Sequence, residues 1–238
     1  MKIRIIIPAR LNSSRFPGKL LKLVNNQTLI ENVIMRANKI KCDNLVVCTD
    51  HKDIQNIVDG LGVNSFYSKI KFNNGTERIA FYVNQMNFND TDLIVNIQAD
   101  ELNFPLHAVK KMIELFKKDK TIQTATIVVK SKDLRDFKNS NTVKVCLDTE
   151  SNALLFSRSQ IPFNSESFYK HIGIYAYRVK ALKKYINFKR DTHEISESLE
   201  QMRFLSNQVK MKCVTITSHE SISINSNNDL KLAKKKFK

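Results

Sequence analysis

Runs of consecutive apolar residues alternate with segments of helical spacing in the first half of the chain. Continuous apolar runs are typical of strands that are buried on both faces of a sheet, and here they cover residues 3–7, 45–49 and 93–98. Apolar residues recur at helical spacing in the segments 29–40, 54–61, 77–86 and 105–117. This alternation predicts an α/β fold, with a Rossmann-like, mostly parallel sheet and helices on both faces.

The pattern changes at about residues 121–178, where four strand-like runs follow each other closely. These runs are 124–129, 143–147, 153–157 and 171–177. The polar segment 148–152 between two of them favours a hairpin turn, so we expect an antiparallel excursion from the main sheet. Such an inserted subdomain is a common place for a substrate lid or a dimer contact. Helices near 180–187, 193–206 and 229–237 and a strand at 210–217 complete a predicted single domain over residues 1–238.

The chain is strongly basic, with 39 Lys and Arg against 23 Asp and Glu and a net charge of +16. This charge raises nucleic acid as a partner, but the basic residues are spread along the chain without an arginine-rich arm or a helix-turn-helix pattern. We therefore expect no nucleic-acid partner, and we interpret the lysine-rich segment 231–238 as a solvated helix end. No apolar run approaches the ~18 residues of a membrane span, so we expect a cytoplasmic protein with no membrane contact.

Three cations lie in the segment that follows the first strand, where parallel sheets bind their ligands. Arg10, Arg15 and Lys19 could surround a polyphosphate, and Ser13 and Ser14 offer hydroxyl and main-chain donors. Neither a Walker loop nor a Gly-x-Gly-x-x-Gly motif is present. The alternative interpretation is a solvated basic loop.

Asp100 follows the third buried strand in the sequence Gln98-Ala99-Asp100-Glu101. A carboxylate at this edge of the sheet, opposite a triphosphate, is a typical ligand of Mg2+. The alternative is that Asp100 caps the following helix. Together with the basic loop, this tetrapeptide favours a nucleotidyltransferase.

The motifs of this chain resemble, in order and over nearly its whole length, the 3-deoxy-manno-octulosonate cytidylyltransferases, also called CMP-Kdo synthetases. The resemblance rests on Pro8-Ala9-Arg10, Pro17-Gly18-Lys19, Gly75-Thr76-Glu77-Arg78, Phe156-Ser157-Arg158, His171-x-Gly173-Ile174-Tyr175 and Leu199-Glu200-Gln201-x-Arg203. It implies a fold of the nucleotide-diphospho-sugar transferase type and a sugar-binding or dimerisation role for residues 121–178. It also implies transfer of CMP from CTP to the anomeric hydroxyl of Kdo for lipopolysaccharide biosynthesis, a requirement for Mg2+, and a homodimer.

The same resemblance assigns roles to individual residues. It implies that Lys19 and Asp100 are catalytic. The implied nucleotide-binding residues are Pro8, Ala9, Arg10, Arg15, Lys19, Arg78 and Gln98. The implied sugar-binding residues are Arg158, His171, Tyr175, Glu200 and Gln201. For His171 and Tyr175 the alternative is packing inside a strand, and for Glu200 and Gln201 it is a solvated helix face.

Three positions depart from the pattern of the family. Ala99 and Leu102 stand where the family usually has Gly and Pro, and the segment between Pro162 and His171 is short. Asn225 stands where the family has an Asp that binds metal, so the implied metal ligands here are Asp100 and Asn225. Because an amide binds Mg2+ more weakly than a carboxylate, two alternatives stay open. The first alternative is a cytidylyltransferase for a different acidic 2-keto sugar, and the second is a degenerate nucleotide-binding member of the family.

Overall fold

The computed structural model describes residues 1–12, 16–219 and 222–236. In these segments the strands are β1 (Ile3–Ala9), β2 (Leu23–Val24), β3 (Gln27–Thr28), β4 (Asn44–Thr49), β5 (Asn64–Tyr67), β6 (Leu93–Ile97), β7 (Thr124–Ser131), β8 (Lys144–Leu147), β9 (Ala153–Ser157), β10 (Phe168–Arg178) and β11 (Met211–Ile216). The helices are α1 (Leu29–Ala37), α2 (Lys52–Gly60), α3 (Gly75–Gln85), α4 (Leu106–Lys118), α5 (Leu134–Lys138), α6 (Val179–Tyr185), α7 (Thr192–Glu197), α8 (Met202–Ser206) and α9 (Asn227–Lys236).

A nine-stranded sheet forms the centre of the molecule, with its main path in the order β11-β7-β10-β6-β1-β4-β5. Strand β1 is parallel to β4 and β6, and β10 is antiparallel to both β6 and β7. Ile5, Ile6 and Ile7 are completely buried because helices cover both faces of the sheet. Ile5 and Ile7 join the core under α1 and α4, and Ile6 joins the core under α3 and α6. The predicted α/β fold class is confirmed.

The strands of the segment 121–178 divide between two places. Strands β7 and β10 lie inside the central sheet, whereas β8 pairs with β10 and carries β9 as a hairpin beyond it. The antiparallel character of the segment is therefore present. The division into a domain and an inserted subdomain stays a prediction.

The single helix predicted at 193–206 is wrong, because the chain forms two short helices there. Ser198 adopts a left-handed conformation with φ 53°, which ends α7 after Glu197. The four residues 198–201 then form a connection before α8 begins. This break matters for the site, because it takes Glu200 and Gln201 out of a regular helix. No helix of the described segments has the length and apolar character needed to cross a bilayer.

Candidate active site

A cleft of about 1180 Å³ opens at the carboxyl edge of β1 and β6. Strand order explains its place, because the loops that follow parallel strands meet at this edge. Predicted site residues in its wall are Arg10, Gln98, Asp100, Arg158, His171, Tyr175, Glu200, Gln201 and Asn225. The fold therefore brings nine predicted residues, separated by up to 215 positions in the chain, around one cavity.

The first turn of α3 packs closely against the end of β1. A Cβ atom at Gly75 would lie 3.0 Å from Cγ of Pro8 and 3.5 Å from Oε1 of Gln98. A side chain at position 75 would therefore require Pro8 to shift by a few tenths of an ångström, and glycine avoids this shift. Pro8 and Ala9 are buried behind the cleft rather than in its wall.

Arg78 is also buried, with 5% of its surface exposed. Its Nη2 donates to Oδ2 of Asp50 at 2.7 Å, and Oδ1 of Asp50 accepts from the main-chain N–H of Leu11 at 3.2 Å. The Arg78–Asp50 pair thus fixes the start of the basic loop. Nη1 of Arg78 is buried and has no hydrogen-bond partner among the described residues.

Lys19 connects two of the predicted metal ligands. Its ammonium donates to Oδ2 of Asp100 at 2.5 Å and to Oδ1 of Asn225 at 3.1 Å. Asn225 reaches this place because residues 222–225 run antiparallel to residues 100–102, with Ile224 N–H donating to the Asp100 carbonyl at 3.0 Å. We call Lys19, Asp100 and Asn225 the phosphate pole of the cleft. Arg15 lies outside the described residues, so the structure places only part of the basic loop.

The phosphate pole is a candidate site for Mg2+. The described residues contain no group of three His, Cys, Asp or Glu side chains that could hold a metal ion. Asp100 and Asn225 nevertheless present two oxygen atoms to one common point, where Lys19 now binds them. Mg2+ is usually bound by one or two protein oxygens together with substrate phosphates and water, so this donor set fits a cation that arrives with a nucleotide.

Glu200 lies on the opposite side of the cleft, in the connection between α7 and α8. Its Oε2 accepts from the main-chain N–H of Thr76, at the start of α3, at 3.1 Å. Gln98 Nε2 lies 3.4 Å from Oε1, and Tyr185 O–H donates to the Glu200 carbonyl at 3.2 Å. Burial raises the pKa of the Glu200 carboxyl, although the bond from Thr76 opposes this shift. The carboxyl group therefore joins the connection 198–201 to the start of α3 and to the end of β6.

Tyr175 and His171 project from β10 into the same side of the cleft. Tyr175 O–H donates to Oε1 of Gln201 at 3.2 Å, and Nε2 of Gln201 is buried without a partner among the described residues. His171 Nε2 lies 2.9 Å from the hydroxyl of Thr126, which donates its own proton to the Ile174 carbonyl. Nε2 therefore carries the imidazole proton, and burial lowers the pKa of His171 to about 3. The ring is neutral at physiological pH.

Arg158 follows β9 and is held by α7. Its Nε donates to the Glu197 carbonyl at 2.7 Å, and its main-chain N–H donates to Oε2 of Glu197 at 2.8 Å. Nη1 donates to the Ser140 carbonyl at 3.1 Å. A fixed guanidinium group suits the recognition of a carboxylate. These contacts complete the set of residues that the family resemblance assigns to the sugar acid. We call this set the acid pole, and it consists of Arg158, His171, Tyr175, Glu200 and Gln201.

The structure adds residues that the sequence reasoning did not assign to the site. Arg203 is buried and donates to Oε1 of Glu77 at 2.7 Å and to both carboxylate oxygens of Glu194 at 2.6 Å. Glu194 belongs to the wall of the cleft, as do Lys170 and Arg190. The only sequence signal was the position of Arg203 in the motif that contains Glu200.

The sheet, the loops at its carboxyl edge and the two poles define a nucleotidyltransferase. Its fold is shared with a putative glucose-1-phosphate thymidylyltransferase from Bacillus anthracis, at 16% identity and a TM-score of 0.70, over 98% of this chain and 94% of that one. The profile of the cytidylyltransferase family matches residues 4–214. The chain belongs to this family, and within it to the 3-deoxy-manno-octulosonate cytidylyltransferases, as the following relatives show.

Two curated relatives carry the name 3-deoxy-manno-octulosonate cytidylyltransferase. The protein of Fusobacterium nucleatum is 39% identical over 97% of this chain and 94% of its own length. The protein of Thermodesulfovibrio yellowstonii is 37% identical over 97% and 96%. A solved CMP:2-keto-3-deoxy-manno-octonic acid synthetase complexed with CTP is 26% identical, with a TM-score of 0.92 over 100% of this chain and 98% of that one. The resemblance seen in the motifs is confirmed.

Proposed function

We propose that this protein transfers CMP from CTP to the anomeric hydroxyl of Kdo and releases pyrophosphate. The observation that carries the proposal is that one cleft contains both the phosphate pole and the acid pole. The chain that forms this cleft is 39% identical to a protein named 3-deoxy-manno-octulosonate cytidylyltransferase. In the reaction, the sugar oxygen bonds the α-phosphorus while the bond from that phosphorus to the pyrophosphate oxygen breaks. The hydroxyl proton passes to a base or to solvent.

The phosphate pole and the loop before it would bind CTP. Lys19 and Arg10 offer cations at the edge of the sheet, and Arg15 lies between them in the sequence. In this structure the Lys19 ammonium is bound by Asp100 and Asn225, so we propose that it turns towards the phosphates when CTP enters. Charge-assisted contacts that strengthen as charge develops at phosphorus are the main source of rate in phosphoryl transfer.

The remaining nucleotide-binding residues lie under the cytidine side. Pro8 contacts the first turn of α3, Ala9 follows it as the last residue of β1, and Gln98 directly follows β6. Nη1 of Arg78, which lacks a partner among the described residues, provides a donor there. These positions support a cytidine site on the α3 side of the cleft.

The acid pole would hold the sugar. Arg158 provides the positive charge for the sugar carboxylate, and neutral His171 and Tyr175 provide polar groups that do not repel an anion. Glu200 and Gln201 supply oxygen and amide groups for sugar hydroxyls. Glu200 also accepts from the Thr76 N–H at the start of α3, so this hydrogen bond connects the proposed sugar site to the proposed nucleotide site.

We propose Mg2+ as the cofactor, held by Asp100 and Asn225 together with nucleotide phosphates. Bound there, the ion would offset phosphate charge and lower the pKa of a bound hydroxyl. The chain itself contributes one carboxylate and one amide, because Asp229 is engaged with the main-chain N–H of Asn225 at 3.0 Å and with the hydroxyl of Ser226 at 2.9 Å. Asp229 therefore orients the Asn225 segment.

We further propose a cytoplasmic homodimer. The four cysteines of the chain are free in the structure, as is usual for proteins of a reducing compartment such as the cytoplasm. Strand β9 pairs with β8 alone among the described strands and exposes Leu154 and Leu155, and Phe163, which follows this strand in the sequence, is 89% exposed. An apolar edge of this kind fits a second copy of the chain. Analytical ultracentrifugation of the wild type and of Leu154→Asp tests this assembly, which requires the variant to shift towards monomer.

One experiment separates the proposed reaction from the alternatives. Titration calorimetry with CTP comes first, followed by a pyrophosphate-release assay with Kdo and several other acidic 2-keto sugars. Turnover with Kdo at the highest kcat/KM supports the proposal. Preferred turnover of another sugar supports the second candidate, which the amide at Asn225 favours. CTP binding without turnover on any sugar contradicts both and leaves a nucleotide-binding protein.

A further inference from the structure

Lys144 on β8 is a completely buried cation. Its ammonium donates to the main-chain carbonyl oxygens of Asn139 at 3.0 Å, Thr142 at 2.8 Å and Arg158 at 2.6 Å. All three protons of the ammonium group are thus directed to main chain. Desolvation lowers the pKa of Lys144, because burial disfavours its charged form. The three carbonyl dipoles offset part of that cost.

The partners of Lys144 share one location. Asn139, Thr142 and Arg158 all belong to the wall of the cleft, on the side of the acid pole. The guanidinium of Arg158 returns to the same loop, because its Nη1 donates to the Ser140 carbonyl at 3.1 Å. Lys144 therefore lies directly behind the wall and ties the loop 139–142 to the residue that would receive the sugar carboxylate.

An apolar side chain would fill this position without the cost of burying a charge. The cation instead places two hydrogen bonds on the loop 139–142, which has no regular secondary structure of its own, and a third on Arg158. We propose that Lys144 is the positioning residue of the acid pole, which holds the loop 139–142 and Arg158 in the geometry that binds the sugar acid. The inference rests on the proposed function for the identity of that ligand, but not for the positioning itself.

The chain offers a matched control in Arg178, at the carboxyl end of β10. Arg178 is also buried, with 5% exposure, and it also donates to main-chain carbonyls, those of Thr91 at 3.0 Å and Phe116 at 2.7 Å. Neither of these partners belongs to the wall of the cleft. Arg178→Met removes the same kind of buried cation and leaves the acid pole intact.

The test compares Lys144→Met with Arg178→Met in two measurements. Amide hydrogen exchange without substrate should become faster in residues 139–142 and 158–160 of Lys144→Met, and should stay at the wild-type rate there in Arg178→Met. In the pyrophosphate assay, Lys144→Met should raise the KM for Kdo about 10- to 100-fold, the usual effect of a small misplacement of a binding group. The KM for CTP should stay within about twofold of the wild type. Lys144→Gln, whose amide keeps two donors, should lie between wild type and Met in both measurements.

Each result decides the question. Faster exchange with a selective rise in the KM for Kdo supports the positioning role. Unchanged exchange, an unchanged KM for Kdo, or an equal rise in both KM values overturns it. If neither Lys144 variant folds while Arg178→Met does, Lys144 serves the fold and the proposal is also overturned. A wild-type protein that turns over no sugar refutes the proposed function, while the exchange data still report on positioning.

Discussion

Arg203 offers a strong test of how the two sides of the cleft are held together. It is 3% exposed and Glu194 is 2% exposed, and Glu77 at the start of α3 shares the same guanidinium group. Arg203→Met removes the cation and leaves two carboxylates in a largely buried place. Removal of one partner from a buried ion pair costs about 3–5 kcal/mol, because the remaining carboxylates lose their main compensating charge. Arg190, which is exposed and donates to Oε1 of Glu194 at 3.2 Å, replaces only part of that charge.

This loss is large compared with the total of about 5–15 kcal/mol that stabilises a typical domain. For a chain of this size it corresponds to a decrease in Tm of about 6–20 °C. Urea unfolding at pH 7, followed by far-UV circular dichroism, measures the loss in the free energy of unfolding directly. The matched control is Arg135→Met, which removes an exposed ion pair with Asp133 and should leave the unfolding midpoint nearly unchanged.

The stability difference between the wild type and Arg203→Met should also depend on pH, in a direction that the pKa of Glu77 sets. Burial acts to raise the pKa of Glu77, but hydrogen bonds from Arg203 and Asn73 lower it overall below its ordinary value of 4.5. A depressed carboxyl pKa stabilises the fold above pH 4.5, and that stabilisation disappears as the pH falls through the folded-state pKa. The difference between wild type and Arg203→Met should therefore be larger at pH 7 than in acid. A loss of less than about 1 kcal/mol at pH 7, or a difference that grows in acid, would refute the reasoning.

Three further predictions concern Arg15 and the two poles. Arg15→Ala should lower kcat/KM for CTP by about two to three powers of ten with little change in Tm, as expected for a lost charge-assisted phosphate contact, and unchanged kinetics would contradict the triphosphate interpretation of the loop. Asn225→Asp should lower the Mg2+ concentration needed for half activity with little effect on CTP affinity, whereas an unmoved Mg2+ dependence would show that Asn225 binds no metal. The His171 imidazole should titrate near pH 3 by NMR, and because the unfolded state takes up that proton near pH 6.5, His171 should make the fold less stable as the pH falls below 6.5. A titration midpoint above pH 5 would contradict the burial of this ring.

Apolar runs predicted the central strands well because strands buried on both faces need continuous apolar sequence. Strand β5 was missed, since its four residues, Asn64–Tyr67, lie at an edge and are partly exposed. The break at Ser198 was missed too, because serine rarely adopts a left-handed conformation and the spacing of neighbouring residues still fits a helix.

The candidate site was predictable only in part from patterns. Strand ends pointed to Arg10, Lys19 and Asp100, whereas the acid pole came from the resemblance to a family. No pattern could predict that Asn225 meets Lys19, because a contact over 206 positions depends on tertiary pairing. The positioning role of Lys144 could not be predicted from the sequence either. Its partners are main-chain carbonyl oxygens, which every residue has, so no side-chain pattern marks them.

The pairing of residues 222–225 with residues 100–102 makes the phosphate pole depend on the segment that follows β11. Every described strand of the central sheet precedes residue 217, so a chain cut after β11 retains these strands and all residues of the acid pole. It lacks the oxygen of Asn225 and the main-chain bond from Ile224 to Asp100. Proteolysis between β11 and Ile222 should therefore abolish turnover by removing one oxygen of the phosphate pole, although every described strand of the central sheet remains.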